Sequence, residues 1–237
     1  MIEYLILKIN YGEVLEVIMI KGLFVTFEGL EGCGKSTQVK MFFHFLNKKG
    51  IPVRVTKEPG GTKIGDEIRK ILLDQKNNGM DYKAEMLLFL ASRSENVRLN
   101  IIPALEKGET VLSDRFFDST TAYQGYGRGI DIDTINNLNH LVVGEAVPDL
   151  TFILDIEPNI GLKRSTSFSD SREIRFEEEF ISKKIISGKL FLDRVRDGYY
   201  QIAKDNAKRI KLINANRSKE EIFHDIIRIV NEKISEK

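Results

Sequence analysis

The chain has 237 residues, of which 42% are hydrophobic and 30% charged, so it is long enough for one large α/β domain and short for two. Its formal net charge of +1 creates no global field toward nucleic acid or a membrane surface, and we expect neither as a partner. The single cysteine, Cys33, cannot form an internal disulfide, which fits a reducing cytoplasm. No apolar run reaches the roughly 18 residues that a membrane-spanning helix needs.

The first 18 residues have no basic start and contain three glutamates, so they do not have the pattern of a secretory signal. Met19 stands immediately before the first predicted strand. We interpret residues 1–18 as an appendage, or as a segment that precedes a translation start at Met19. Their alternating pattern also allows an added edge strand. A chain that begins at Met19 is expected to keep its activity, and residues 19–237 are expected to form a single domain.

Short apolar runs rich in β-branched residues alternate with amphipathic segments of helix length. Strands are predicted at 23–28, 53–58, 110–115, 150–156 and 210–215. Helices are predicted at 35–49, 64–74, 81–98 and on to 107, 131–145 and 217–235, with a loop after the third strand. This alternation predicts a parallel sheet of about five strands with helices on both faces. Ligands of such a sheet bind at the carboxyl ends of the strands.

The stretch "GLEGCGKS", residues 29–36, matches the phosphate-loop pattern G-x-x-x-x-G-K-[ST], and it has the required strand before it and helix after it. Its glycines allow backbone N–H groups to turn onto phosphate oxygens. Lys35 is expected to reach the β- and γ-phosphates of ATP, and Ser36 to bind Mg²⁺. The predicted ATP-binding residues are Gly29, Leu30, Glu31, Gly32, Cys33, Gly34, Lys35, Ser36 and Thr37.

The phosphate loop alone leaves a kinase, a GTPase and an ATPase open. A GTPase normally also carries D-x-x-G and N-K-x-D. The first pattern is absent from the sequence, and the "NKKG" at 47–50 ends in glycine. The sequence therefore disfavours a GTPase.

Four segments together resemble the thymidylate kinase family. They are "FEGLEGCGKSTQ" (27–38), "KEPGGTKIGDEIR" (57–69), "LLFLASR" (87–93) and "DRFFDSTTAYQGYGRG" (114–129). The resemblance runs from about Met19 to the C-terminus, and its second and fourth segments are far more specific than the phosphate loop. It implies a three-layer P-loop fold of the nucleoside monophosphate kinase type, phosphorylation of dTMP to dTDP by ATP with Mg²⁺ in dTTP biosynthesis, and a cytoplasmic homodimer.

The resemblance also implies a dTMP site. Arg69, Arg93 and Arg115 come from different segments and are expected to converge on a phosphate, because guanidinium groups match pairs of phosphate oxygens. Phe89 shares a helix face with Arg93 and is expected to stack on thymine. The other implied residues are Glu31 for the 3′-hydroxyl, Pro59 as a pocket wall, Thr120 and Gln124 for the pyrimidine edge, and Tyr123 beside the sugar 2′ position.

Phosphoryl transfer needs mainly positioning and charge neutralisation, so the expected reaction is a direct in-line transfer without a covalent enzyme intermediate. Asp114 ends the third strand, and we interpret it as organising Mg²⁺ through water or accepting a hydrogen bond on the acceptor side. A dedicated general base is not expected, since the attacking phosphate is already ionised near pH 7. The predicted catalytic residues are Lys35, Asp114, Arg115, Arg172 and Arg175.

The catalytic cation of this family stands either in the phosphate loop, directly after the acidic residue, or in a lid. Gly32 occupies that loop position here, so the resemblance implies the bacterial type with a lid arginine. The lid is predicted at about 161–180, where Arg172 and Arg175 are favoured over Arg164. A lid arginine would offset charge on the moving phosphoryl group.

Two alternatives to a dTMP kinase stay open from the sequence. One is a kinase for another nucleoside or nucleoside monophosphate. The other is a P-loop binding protein without transferase activity, although the intact Lys35, Ser36, Asp114 and Arg115 argue against it.

Overall fold

The structure is a computed structural model that describes residues 22–168 and 185–235. The predicted N-terminal appendage lies outside these ranges, and so do Arg172 and Arg175 of the predicted lid. Within these ranges, no helix is long and apolar enough to cross a membrane.

Five parallel strands form one sheet in the order β2-β3-β1-β4-β5. The strands are β1 Phe24–Glu28, β2 Val53–Lys57, β3 Thr110–Asp114, β4 Leu150–Asp155 and β5 Ile210–Asn214. This arrangement confirms the predicted parallel sheet of about five strands. In the register of the central strands, Phe27 lies beside Asp114 and Glu28 beside Ile153. The ends of β1, β3 and β4 therefore lie at the same edge of the sheet.

The central strands are almost entirely buried, which explains why they appear in the sequence as continuous apolar runs rather than alternating ones. All five residues of β1 are buried, and only the last residue of β3 and of β4 is partly exposed. A parallel sheet gives this pattern because helices cover both of its faces. The buried hydroxyls of Thr26 and Thr151 bond each other across the strands at 2.7 Å, so neither is left without a partner.

The helices are α1 Lys35–Lys48, α2 Lys63–Leu73, α3 Tyr82–Asn96, α4 Ile102–Glu106, α5 Phe117–Thr120, α6 Ile132–Val143, α7 Pro158–Phe168, α8 Ile185–Asp205 and α9 Lys219–Ser235. Side-chain caps fix the first turns of three helices. The Thr62 hydroxyl accepts a hydrogen bond from Gly65 N at the start of α2, and Asp81 and Asp131 each accept from a backbone N–H in the first turn of α3 and α6. A π-helical turn, Val97–Ile101, joins α3 to α4.

The prediction of a loop after the third strand is wrong, because α5 and a π-helical turn, Thr121–Gly127, occupy most of that segment. One glycine of this segment, Gly127, serves close packing against α8. A Cβ on Gly127 would lie 2.6 Å from the Phe191 ring, and a Cβ on Gly198 would lie 2.6 Å from Tyr126. The missing side chains let the two helical segments approach each other, and this packing holds the segment helical.

Candidate active site

A cleft of about 1200 Å³ opens at the carboxyl end of the sheet. It lies where ligands of parallel α/β sheets bind. The predicted dTMP-binding residues that line it are Glu31, Pro59, Arg69, Phe89, Arg93, Arg115, Thr120, Tyr123 and Gln124. The phosphate loop from Glu31 to Thr37 lines the same cleft, so both predicted substrate sites belong to one space.

The phosphate loop directs its apolar side chains inward and its backbone toward the cleft. Leu30 and Cys33 are buried, at 3% and 1% exposure. Gly34 has a φ of 99° and precedes α1, whose first N–H groups have no partner inside the helix. Lys35 donates from Nζ to the carbonyls of Gly29 and Leu30, at 3.1 and 2.9 Å. The loop thus presents N–H groups, a helix N-terminus and a cation, as a polyphosphate requires.

Ser36 and Asp114 form the contact between the loop and the end of β3. The Ser36 hydroxyl donates to Asp114 Oδ2 at 2.5 Å. A hydroxyl and a carboxylate oxygen are ligands that Mg²⁺ accepts, usually together with water and substrate phosphates. The described ranges contain no group of three or more His, Cys, Asp and Glu side chains that could hold a metal ion by itself. Ser36 and Asp114 therefore fit part of a Mg²⁺ site, whose other ligands would have to come from elsewhere.

Arg115 enters the cleft from a strained backbone position directly after β3. Its φ of 70° lies in the left-handed region, which is uncommon for a side-chain-bearing residue and often marks a functional site. Two bonds hold this turn: Arg115 N donates to Phe27 O at 2.9 Å, and the Ser113 hydroxyl donates to Arg115 O at 2.7 Å. The guanidinium group donates to the Glu31 carboxylate and to the Gly29 carbonyl.

Glu31 is the negative centre of a group of cations. Burial opposes its charge, but Arg115, Lys35 and Arg69 outweigh burial and lower its pKa to about 2. Its side chain keeps 35% exposure, so it faces the cleft as well as Arg115. Arg69 donates from Nη1 to the Pro59 carbonyl at 2.9 Å. The phosphate loop, α2 and the end of β3 thus bring three cations around one carboxylate, which suits binding of an anionic ligand.

Arg93 lines the same cleft as Arg69 and Arg115, but protein groups hold its guanidinium. Its guanidinium is buried and donates to Glu58 at 2.7 Å, to Asn139 at 3.0 Å and to Thr120 at 3.0 Å. A further bond goes to the Phe116 carbonyl. It shares none of these partners with Arg115 within the described ranges. Its donors are largely committed to protein groups beside Thr120, and its role toward a phosphate stays a prediction.

The predicted base-binding side chains lie together in the cleft. Phe89 is half-buried on α3, and Thr120 and Gln124 are buried on the helical segment after β3. Tyr123 lies under Arg115, whose guanidinium carbon is 5.1 Å from the centre of its ring. The structure therefore assembles an aromatic face, a hydroxyl and an amide. The role of each residue toward dTMP stays a prediction.

Glu28, at the end of β1, is a buried acid that the sequence interpretation missed. It accepts hydrogen bonds from Phe116 N at 2.8 Å, from the Ser119 hydroxyl and from Tyr199 at 3.2 Å. Burial, and then the nearby Asp118 carboxylate, raise its pKa from the usual 4.5 to about 7. Its place directly before the phosphate loop, as the only charge in an apolar strand, was the signal that could have identified it.

Glu28 is expected to make stability fall as the pH rises from about 4.5 to about 7. The native state holds this proton over that window and the unfolded chain does not, so the contribution is complete below pH 4.5 and lost at pH 7. Over this window the free energy of unfolding of the parent protein should fall by up to about 3 kcal/mol because of Glu28, and Glu28→Gln should remove that fall. Urea unfolding of both proteins across the window measures it, with the exposed Glu67→Gln as control. Equal slopes in all three proteins would contradict the prediction.

Arg164 of α7 and Arg217 also line the cleft. Arg164 donates to the Ala215 carbonyl at 3.0 Å and to Asn216 at 3.2 Å, so it is bound to the loop that follows β5. The predicted lid begins inside α7, and its favoured arginines lie beyond the described residues.

The fold and the cleft together define a P-loop phosphotransferase of the nucleoside monophosphate kinase type. The family model described as thymidylate kinase matches residues 27–226. The chain belongs to the thymidylate kinase family.

Comparisons with individual proteins agree over nearly the whole chain. A thymidylate kinase from Halothermothrix orenii is 48% identical, covering 87% of this chain and 95% of that protein. One from Maridesulfovibrio salexigens is 44% identical over 90% and 96% of the two chains. The crystal structure of thymidylate kinase from Ehrlichia chaffeensis matches with a TM-score of 0.69 and 35% identity, covering 88% of this chain and 97% of that one.

Proposed function

We propose that this chain transfers the γ-phosphoryl group of ATP to dTMP, giving ADP and dTDP for dTTP biosynthesis, with the residues of the cleft in the roles given below. The activity is that of the family to which the chain belongs. The single observation that supports the roles best is the pairing of Glu31 with Arg115, because it lies between the phosphate loop and the base-binding side chains. The two substrates would thus meet at these two residues.

In the reaction, an oxygen of the dTMP phosphate bonds to the γ-phosphorus, and the bond from that phosphorus to the β–γ bridging oxygen breaks as ADP leaves. Lys35 and the N–H groups of the loop would hold the β- and γ-phosphates. Arg69 and Arg115 would hold the acceptor phosphate, and Glu31 would accept a hydrogen bond from the 3′-hydroxyl. These contacts position the two phosphates in line, which is most of what phosphoryl transfer needs.

Mg²⁺ would be held by Ser36, with Asp114 acting directly or through water. The hydrogen bond between their oxygens supports this assignment, because it places the two oxygens side by side. The ion would neutralise charge on the transferring phosphates. For the catalytic cation we propose the lid arginines, Arg172 and Arg175, within a lid at about 161–180. The support from the described residues is the absence of a side chain at Gly32.

A coupled assay of ADP release tests the function, with dTMP, dUMP, UMP, CMP and thymidine as acceptors. The expected result is the highest kcat/KM with dTMP and no turnover without an acceptor. Activity on thymidine but not on dTMP would exclude the proposed reaction, as would the absence of ADP release with every acceptor.

We also propose a homodimer through the long helix α3 and its neighbour α6. Leu87 on α3 and Leu141 on α6 are exposed apolar side chains, at 54% and 77% exposure, which a second copy would cover. Leu87→Glu with Leu141→Glu should then shift sedimentation from dimer to monomer, whereas Leu212→Glu on β5 should not. A monomeric parent protein would contradict the proposal.

We propose a cytoplasmic location as well, which the unpaired Cys33 supports.

A further inference from the structure

A buried ion pair lies behind the base-binding end of the cleft and has no part in the roles proposed above. Arg128 donates from Nη2 to Glu85 Oε2 at 2.8 Å, and the two side chains are only 4% and 6% exposed. The Arg128 guanidinium also lies over the Tyr82 ring at 4.2 Å. Burying two charges costs desolvation energy that a close pair only partly recovers. Stability alone therefore does not explain this pair.

The second oxygen of Glu85 fixes the orientation of the Gln124 amide. Gln124 donates from Nε2 to Glu85 Oε1 at 3.0 Å. A carboxylate has no hydrogen to donate, so the amide must turn its NH₂ group, and not its carbonyl, toward Glu85. Gln124 also lines the cleft. With the NH₂ group held on Glu85, the carbonyl Oε1 is the polar atom that Gln124 can offer to a ligand.

The neighbouring groups have the opposite polarity. Arg93 donates to Thr120 Oγ1 at 3.0 Å, so this hydroxyl oxygen accepts and its hydrogen is available to donate. A donor at Thr120 therefore stands beside an acceptor at Gln124, and both residues line the cleft. A 4-oxo pyrimidine presents the complement: an accepting O4 next to a donating N3–H. Cytosine presents the reverse, a donating 4-amino group next to an accepting N3.

We propose that Glu85, held by Arg128, is a specificity-determining positioning residue that makes the site select 4-oxo pyrimidines over cytosine by fixing the Gln124 amide. The proposal rests on the proposed function, since it assumes that dTMP occupies this end of the cleft. Glu85 itself does not touch the base. It acts through Gln124, and Arg128 keeps its other oxygen occupied.

Glu85→Gln tests the proposal because it should reverse the amide without changing its size. Arg128 only donates, so it should capture the carbonyl of the new amide and turn its NH₂ group toward Gln124. Gln124 would then turn its carbonyl away from the cleft and its own NH₂ group into it. We expect kcat/KM to fall roughly 10- to 100-fold for dTMP and not for dCMP, because a donor would face N3–H.

Two ratios separate this effect from general damage to the protein. The ratio of kcat/KM for dTMP over dUMP should stay constant, since uracil has the same edge as thymine. The ratio for dTMP over dCMP should fall by roughly 10-fold or more. Glu95→Gln, on the same helix and paired with the exposed Arg98, is the matched control and should change neither ratio. Equal losses on all three nucleotides would overturn the proposal.

A double-mutant cycle with Gln124→Met completes the experiment. If Glu85 acts through the amide, Glu85→Gln should hardly change the dTMP-to-dCMP ratio in the Gln124→Met background. An equally large change in that background would overturn the proposal. Where Glu85→Gln fails to fold, Gln124→Met alone decides, since an unchanged ratio overturns the proposal. Failure of the parent protein to phosphorylate dTMP would instead contradict the proposed function.

Discussion

Replacing Glu31 with alanine is expected to lower kcat/KM for dTMP by roughly 100-fold or more. The carboxylate pairs with Arg115, which is only 15% exposed, so its removal leaves a largely buried guanidinium without its main anionic partner. The same substitution removes the group proposed to bind the 3′-hydroxyl of dTMP. Both effects reduce binding in the transition state, and the loss should appear with dTMP rather than with ATP.

Steady-state ADP release at varied dTMP, with ATP saturating, measures this loss. Glu31→Gln keeps the shape and the hydrogen-bonding oxygen, and it should retain more activity than Glu31→Ala. Glu67→Ala is the control, because Glu67 is an acid on α2 with 64% side-chain exposure. A kcat/KM of Glu31→Ala within about threefold of the parent value would contradict the assigned role of Glu31. Such a change corresponds to less than half the free energy of a tenfold change.

Arg69→Ala is the companion of this experiment. Arg69 contributes to the low pKa of Glu31 and is proposed to bind the acceptor phosphate. Its loss should therefore raise KM for dTMP as well as lower kcat, with KM for ATP little changed. A rise in KM for ATP alone would move Arg69 to the donor side.

The sheet and the phosphate loop could be predicted because their signals are local. Each central strand is a short apolar run, and the loop needs its glycines and Lys35 at fixed spacing. The predicted loop after the third strand failed for the opposite reason. Gly127 and Gly198 have their function only in contact with side chains far away in the sequence, so no local pattern distinguishes them from glycines in a loop.

The partners of charged residues were also beyond prediction. An arginine in a binding motif can face a phosphate or a buried acid, and Arg93 proved to face Glu58. Glu85 could have been found from its spacing, since it precedes Phe89 by four residues and Arg93 by eight on the same helix face. The spacing does not reveal what it does, because its two partners come from the segment after β3.

Gly32 is a second position where a single side chain should have a large effect. Its φ is 70°, and a Cβ there would lie 2.1 Å from the carbonyl oxygen of Gly161 in α7. Gly161 in turn has no room for a side chain, because its own Cβ would lie 2.6 Å from Glu31 O. The phosphate loop and α7 therefore approach each other backbone to backbone at these two glycines.

Gly32→Ala is expected to destabilise the protein by about 2–5 kcal/mol, as backbone strain and overpacking add. It should also lower kcat roughly 100-fold, because a shift of about 1 Å in the loop misplaces the phosphates. Gly50→Ala is a matched control: its φ is 73°, but nothing lies within 4 Å of its Cβ. Denaturant unfolding of Gly50→Ala should therefore show only the smaller destabilisation that comes from backbone strain. Equal destabilisation in the two variants would show that the contact with Gly161 is not maintained in solution.

The same contact bears on the source of the catalytic cation. An arginine introduced at position 32 would meet the Gly161 backbone before it could reach the phosphates, so Gly32→Arg should lose at least as much activity as Gly32→Ala. A gain in kcat from Gly32→Arg would mean that the loop can supply the charge. α7 blocks position 32 and also contains the start of the predicted lid. The segment that keeps a cation out of the phosphate loop is therefore part of the segment proposed to supply that cation.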